Sequence, residues 1–197
     1  MSTQDLDAKY WENRYQNEDT GWDLGRISPP LKAYFDQISN KNLSILIPGC
    51  GRAYEAEYLF KQGFNNVFPA DIADSAKTEF LKRVPNFPEE KWISTEFFEI
   101  NHKYDLIIEQ TFFCAIDPKF REKYAKKMFD LIRPGGKLVG LLFTEVPNSE
   151  GPPFGGNSKE YQEIFSKYFK NIQLENCYNS IPPRAGRELF MIIKKEN

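Results

Sequence analysis

Leu43-Ser44-Ile45-Leu46-Ile47-Pro48-Gly49-Cys50-Gly51-Arg52-Ala53-Tyr54 is the stretch on which the fold turns. Its first five residues form a short, mostly apolar run, the pattern of a strand buried on both faces. Pro48-Gly49 ends the run, and two glycines one residue apart permit a tight turn that a ligand can approach closely. Helical periodicity begins at Tyr54 and lasts to Lys61, closed by Gln62-Gly63. A buried strand, a glycine turn and a helix in that order open a βαβ unit with a parallel sheet.

The same alternation continues downstream. Strands are expected at 66–70, 92–95, 104–109 and 137–144, with Asp71 at the end of the first of these. Helices are expected over Asp74–Arg83, with Asp74 as its own cap, and over Pro118–Ile132, stopped by Arg133-Pro134-Gly135-Gly136. A helix over Ser158–Tyr168 and strands at 171–175 and 188–194 complete the chain. The fold class is α/β, a doubly wound, mostly parallel sheet of seven strands. The last two strands lack an intervening helix, so the final one should run antiparallel to its neighbour. Upstream, helices are expected over Asp7–Gln16 and from Ser28-Pro29-Pro30 to Ile38, Ser28 being the cap. No linker or repeat divides the chain: residues 1–197 read as a single domain, with 1–40 as an N-terminal helical arm.

Bulk properties exclude several functions. With 26 basic and 28 acidic side chains there is no basic face, so nucleic acid is not the expected partner. The start, Met1 to Asp5, is polar, and the apolar run Leu138–Phe143 has only the length of a strand. A cytoplasmic protein without a membrane partner is expected. Cys50, Cys114 and Cys177 lack CxxC spacing and read as reduced thiols. His102, the single histidine, precedes the fourth strand and reads as a surface residue, so no metal site is expected.

In a doubly wound sheet, ligands sit beyond the C-terminal ends of the strands, near the switch point. A dinucleotide site needs a third glycine where Tyr54 stands, because the helix start must pack close to a pyrophosphate. A ligand without a pyrophosphate is therefore favoured over a nicotinamide cofactor, and S-adenosylmethionine (SAM) qualifies. Gly49 and Gly51 would cradle it. Asp71, at the end of the second strand, can accept both ribose hydroxyls; its other reading is a cap for the helix from Ala73 onward. Glu96 and Phe97 follow the third strand, where an adenine would lie, with Phe98 assigned to the core. Glu109 and Gln110 end the fourth strand beside the methionine part of the cofactor. Phe112, Phe113 and Cys114 are expected to pack the cleft wall.

The chain resembles the thiopurine methyltransferase family, closest to its thiol and halide methyltransferase branch. The resemblance rests on Tyr10-Trp11-Glu12-Asn13-Arg14-Tyr15, Thr20-Gly21-Trp22-Asp23-Leu24-Gly25, Ser28-Pro29-Pro30-Leu31 and Ile47-Pro48-Gly49-Cys50-Gly51-Arg52. It continues through Thr111-Phe112-Phe113-Cys114-Ala115-Ile116, Arg133-Pro134-Gly135-Gly136, Gly151-Pro152-Pro153-Phe154 and Ile181-Pro182-Pro183-Arg184. It implies a Rossmann-like class I methyltransferase whose arm closes over SAM. Implied SAM contacts are Trp11, Tyr15, Trp22, Gly49, Asp71, Glu96, Phe97 and Gln110. A tyrosine, here Tyr161, is implied beside a small acceptor: a thiol, thiopurine, thiocyanate or halide. Ala53 departs from the family, which usually has a second loop glycine there, and Gln110 stands where Tyr or Arg is frequent. Such acceptors are already soft or anionic and need no strong general base, in keeping with the lack of a candidate histidine. Arg184 and Arg187 read either as attracting an anionic acceptor or as solvated surface arginines, the second reading preferred. A monomer is expected, and the alternative activity is SAM binding without turnover.

Overall fold

A computed structural model describes residues 6–146 and 151–197, so the reading of Met1–Asp5 lies outside the described residues. Six strands form one sheet: β1 (Ile45–Pro48), β2 (Val67–Ala70), β3 (Tyr104–Gln110), β4 (Ile132–Phe143), β5 (Asn171–Asn176) and β6 (Glu188–Lys194). Their order is β2-β1-β3-β4-β6-β5. The first four are mutually parallel, and β6 runs antiparallel to both β4 and β5. The helices are α1 (Ala8–Gln16), α2 (Pro29–Phe35), α3 (Tyr54–Lys61), α4 (Asp74–Arg83), α5 (Arg121–Leu131) and α6 (Ser158–Ser166).

Period-two alternation sends the strand side chains to two apolar faces. Leu46, Ile107, Leu138, Met191 and Ile193 face one core with Tyr124, Met128 and Phe165 of α5 and α6. Ile45, Ile47, Leu106, Ile108 and Val139 face the other, against Phe35, Leu59 and Phe80 of α2, α3 and α4. Both faces are covered, which is why β1 is apolar throughout rather than alternating. The chain leaves β1 for β2 on one side and returns to β3 on the other. That reversal opens a crevice above the C-terminal ends of β1 and β3.

The expected seventh strand at 92–95 is reduced to one rung, a parallel bridge between Ala70 and Ile93. Ile93 N–H donates to Pro69 O at 2.9 Å, and Asp71 N–H donates to Ile93 O at 3.2 Å. The next rung toward the N-terminus needs an N–H at Pro69, which proline does not have. The helix expected to reach Ile132 gives way at Leu131, and β4 starts at Ile132, running through Pro134-Gly135-Gly136. Gly135 takes φ of +76° and pairs with the chain end through Lys195 O. Ser28 is the N-cap of α2, but its side chain makes no capping bond. Among the described residues no helix is long and apolar enough to cross a membrane.

Gly140 of β4 lies opposite Glu109 of β3, and a Cβ there would fall 2.2 Å from Glu109 O. Gly140→Ala is therefore expected to cost about 1–3 kcal/mol by overpacking. An unchanged urea midpoint would show that the strands part without penalty.

Candidate active site

The crevice is a cleft of about 900 Å³ bounded by the glycine turn, the loops after β2, β3 and β4, and the N-terminal arm. Gly49 and Gly51 both adopt positive φ, +56° and +53°. A Cβ on Gly49 would fall 2.1 Å from the Phe112 ring, and one on Gly51 would fall 2.8 Å from the Tyr15 hydroxyl. Backbone conformation and space both require glycine at these two positions. Ala53 also takes a left-handed backbone, with φ of +54°, a conformation that favours glycine.

Asp71 binds the turn from below. Its Oδ2 accepts from Gly51 N–H at 2.8 Å and its Oδ1 from Ala73 N–H at 3.0 Å. Burial pushes its carboxyl above the usual range, opposed by the backbone N–H groups it accepts. A carboxylate has about four lone-pair sites, so these backbone bonds do not exhaust it. Asp71 thus braces the start of α4 as well as the glycine turn, and its carboxylate still has lone pairs to offer a ligand. Asp74 does not cap α4; Ala73 occupies the cap position. The missing cap comes from α1, where Glu12 accepts from Ser75 N–H at 3.0 Å and from the Ser75 hydroxyl.

The arm supplies an aromatic wall. Trp22 meets Trp11 edge-on at 5.5 Å and Tyr15 at 5.8 Å, and all three line the cleft. The Arg14 guanidinium lies 4.9 Å from the Trp22 ring centre. Two further ties fix the loop carrying Trp22. Asp23 pairs with Arg52 of the glycine turn, which also pairs with Glu79 of α4. Trp22 O accepts from Arg184 at 2.7 Å.

Arg184 is thus buried and not a solvated surface arginine; it also faces Glu188 at 3.4 Å. Arg187, half-buried, donates to Pro183 O.

Other expectations separate. Glu96 is exposed at the cleft edge. Phe97 is 7% exposed and packs in the core, with Phe112 at 5.2 Å and Tyr124 at 5.5 Å, so it and not Phe98 is the more buried of the pair. Gln110 lines the cleft, and its Oε1 is buried without a hydrogen-bond partner among the described residues. Glu109 turns away from the cleft into the core. Tyr161 is fully buried and donates its proton to Phe143 O at 2.5 Å. It sits behind the cleft wall, packed on Phe113 at 5.4 Å, and does not line the cleft. His102 is exposed at the opposite end of β3.

An orphaned acceptor at Gln110, a carboxylate with spare lone pairs at Asp71, glycines that admit a ligand to the backbone and a wall of tryptophans form a donor set that fits an adenosyl sulfonium. The glycines need no pyrophosphate partner, because Tyr54 occupies the third position.

Residues 6–192 match the family model described as thiopurine S-methyltransferase. A probable thiol methyltransferase 2 of Arabidopsis thaliana is 32% identical over 193 residues, covering 95% of this chain and 85% of that protein. Thiocyanate methyltransferase 1 of the same plant is 29% identical with the same coverage. In fold, the chain is similar to the 1,6-didemethyltoxoflavin-N1-methyltransferase of Burkholderia thailandensis, with a TM-score of 0.76 at 16% identity. That match covers 98% of this chain and 88% of the other.

Removing the Tyr161 hydroxyl leaves Phe143 O without its donor. Tyr161→Phe is expected to lower stability by about 1 kcal/mol, with methyl transfer kept within about threefold, less than one tenfold step of 1.4 kcal/mol. A large fall in kcat at unchanged stability would return Tyr161 to the reacting atoms.

Proposed function

We propose, on the premise that this chain belongs to the thiopurine S-methyltransferase family, that it moves a methyl group from SAM to a small soft nucleophile by in-line displacement. A thiol, thiopurine or thiocyanate is the expected acceptor, and a halide is the further member of the same class. The cofactor, when bound, supplies a methyl group already activated on a sulfonium.

The observation that carries this reading is the composition of the cleft. It offers aromatic rings, the Asp71 carboxylate and an orphaned carboxamide oxygen, with the one histidine at the far end of β3. Asp71 would hold the ribose hydroxyls, and Gly49 and Gly51 would admit the cofactor to the backbone. Trp11 and Trp22 would face the sulfonium, an attraction of about 0.5–2 kcal/mol. Tyr15 would close the arm over the turn. Glu96 at the edge and Phe97 beneath it would bound the adenine, and the Gln110 oxygen would accept from an ammonium or other donor. The acceptor would lie against Thr111, Cys114, Phe143 and Pro153 of the lining, where the Arg184 guanidinium also reaches, 5.2 Å from the Phe143 ring centre. Such a wall suits a polarizable sulfur and strips water from it, and alignment of this kind contributes roughly 7–11 kcal/mol to the rate. Three free thiols support a cytoplasmic place for the enzyme.

Incubation with SAM and, separately, hydrosulfide, a small thiol, thiocyanate, a thiopurine and iodide tests the reading. S-adenosylhomocysteine (SAH) is expected in step with a methylated product for the sulfur acceptors. SAM binding with no SAH above blank from any of them would favour a binding module over an enzyme. Asp71→Ala is expected to weaken SAM binding by about 1.5–3 kcal/mol, read by calorimetry; unchanged affinity would reject the ribose role.

A further inference from the structure

Glu109 was expected near the cofactor, and its position serves a different end. Its side chain is fully buried. Oε1 accepts from both Phe112 N–H and Phe113 N–H at 2.8 Å, and Oε2 accepts from the Tyr124 hydroxyl. Between the strand and these anchored amides lies Thr111, with φ of +57°. A β-branched residue rarely takes that conformation, and such strain persists only where the surroundings impose it. The Glu109 carboxylate is what imposes it, because it folds the chain back immediately after β3. The same fold brings the Phe112 ring against Gly49, where it fills the space of a Cβ, and sets Gln110 on the cleft wall.

We infer that Glu109 is a positioning residue for methyl transfer: by accepting two backbone N–H groups it shapes the turn that carries Gln110, Thr111 and Phe112 against the glycine turn. This rests on the cleft being the SAM site.

The acceptor oxygen, not the charge, does this. Tyr124 on α5 and the Cys114 thiol on the turn after β3 are the titratable groups that face Glu109. From β4 it is opposed by Gly140, which has no side chain, and α6 brings the apolar Phe165 behind Tyr124. Among the described residues no cation acts on it, and burial pushes its carboxyl up to about 7. Protonated, it keeps both N–H bonds at Oε1, and its own O–H can donate to the Tyr124 oxygen once the Tyr124 hydroxyl turns its proton away. Glu109→Gln can do the same with its amide N–H, whereas Glu109→Ala cannot.

Purified wild type, Glu109→Gln and Glu109→Ala would be compared by melting temperature, SAH calorimetry and methanethiol formation from sodium hydrosulfide. Glu109→Gln is expected to match wild type within about threefold, with superimposable profiles between about pH 6 and 8. Glu109→Ala is expected to lose about tenfold or more in SAH affinity and in kcat/KM. A merely structural role would lower the melting temperature and leave the constants of the folded fraction alone. The inference is overturned if folded Glu109→Ala binds SAH as wild type does, or if Glu109→Gln loses tenfold. Should the alanine variant not fold, Glu109→Gln decides alone, on the same two outcomes. Failure of wild type to bind SAH would instead reject the cleft reading beneath it.

Discussion

The hydrogen bond from Gly51 N–H to Asp71 joins the end of β1 to the end of β2 across the mouth of the crevice. Each partner is fixed by something the chain cannot easily change. Gly51 needs a left-handed backbone and has no room for a side chain beneath Tyr15. Asp71 is committed on its other oxygen to the amide of Ala73, the residue at the cap position of α4. A charge-assisted bond of this kind contributes roughly 1.5–3 kcal/mol, and its loss would release the glycine turn from the loop that leads into α4. Turn and carboxylate are therefore one unit.

The arm is built onto that unit rather than beside it. Glu12 caps α4 directly after the Asp71 loop, Asp23 pairs with Arg52 of the turn, and Arg184 holds the carbonyl of Trp22 from the far end of the chain. These ties come from α4, the glycine turn and the segment before β6, so the tryptophans are located relative to three parts of the cleft at once. Aromatic edges alone would leave the rings free to slide. The polar ties give them a fixed register.

How much of this could be read from the residues follows a physical division. Helices α3 and α4 and strand β6 fall where periodicity and punctuation place them, because those signals are local. The left-handed turn at Gly49 and Gly51 and the place of Asp71 after β2 were also legible, since a glycine turn and a carboxylate at a strand end have local signatures. The strand at 92–95 was overcounted because Pro69, its partner's residue, removes the next rung, and pairing is not a local property. Tyr161 was placed beside the acceptor by the family resemblance, and Glu109 beside the cofactor by its place at the end of a strand. Their inward orientation depends on unpaired groups elsewhere, Phe143 O in one case and the Phe112 and Phe113 amides in the other. Glu12 left no sign, since Asp74 read as the cap of its own helix and Ala73, which cannot cap, is the residue in that position. The buried role of Arg184 left none, since its partner lies 162 residues away.

A crystal structure with SAH tests the central claim most directly, namely that arm, glycine turn and Asp71 form one cofactor site. The account predicts ribose hydroxyls on Asp71 while Gly51 N–H remains bonded to it, and the SAH sulfur between the Trp22 wall and Gln110. SAH bound away from the glycine turn, or ribose hydroxyls out of hydrogen-bond reach of Asp71, would contradict it.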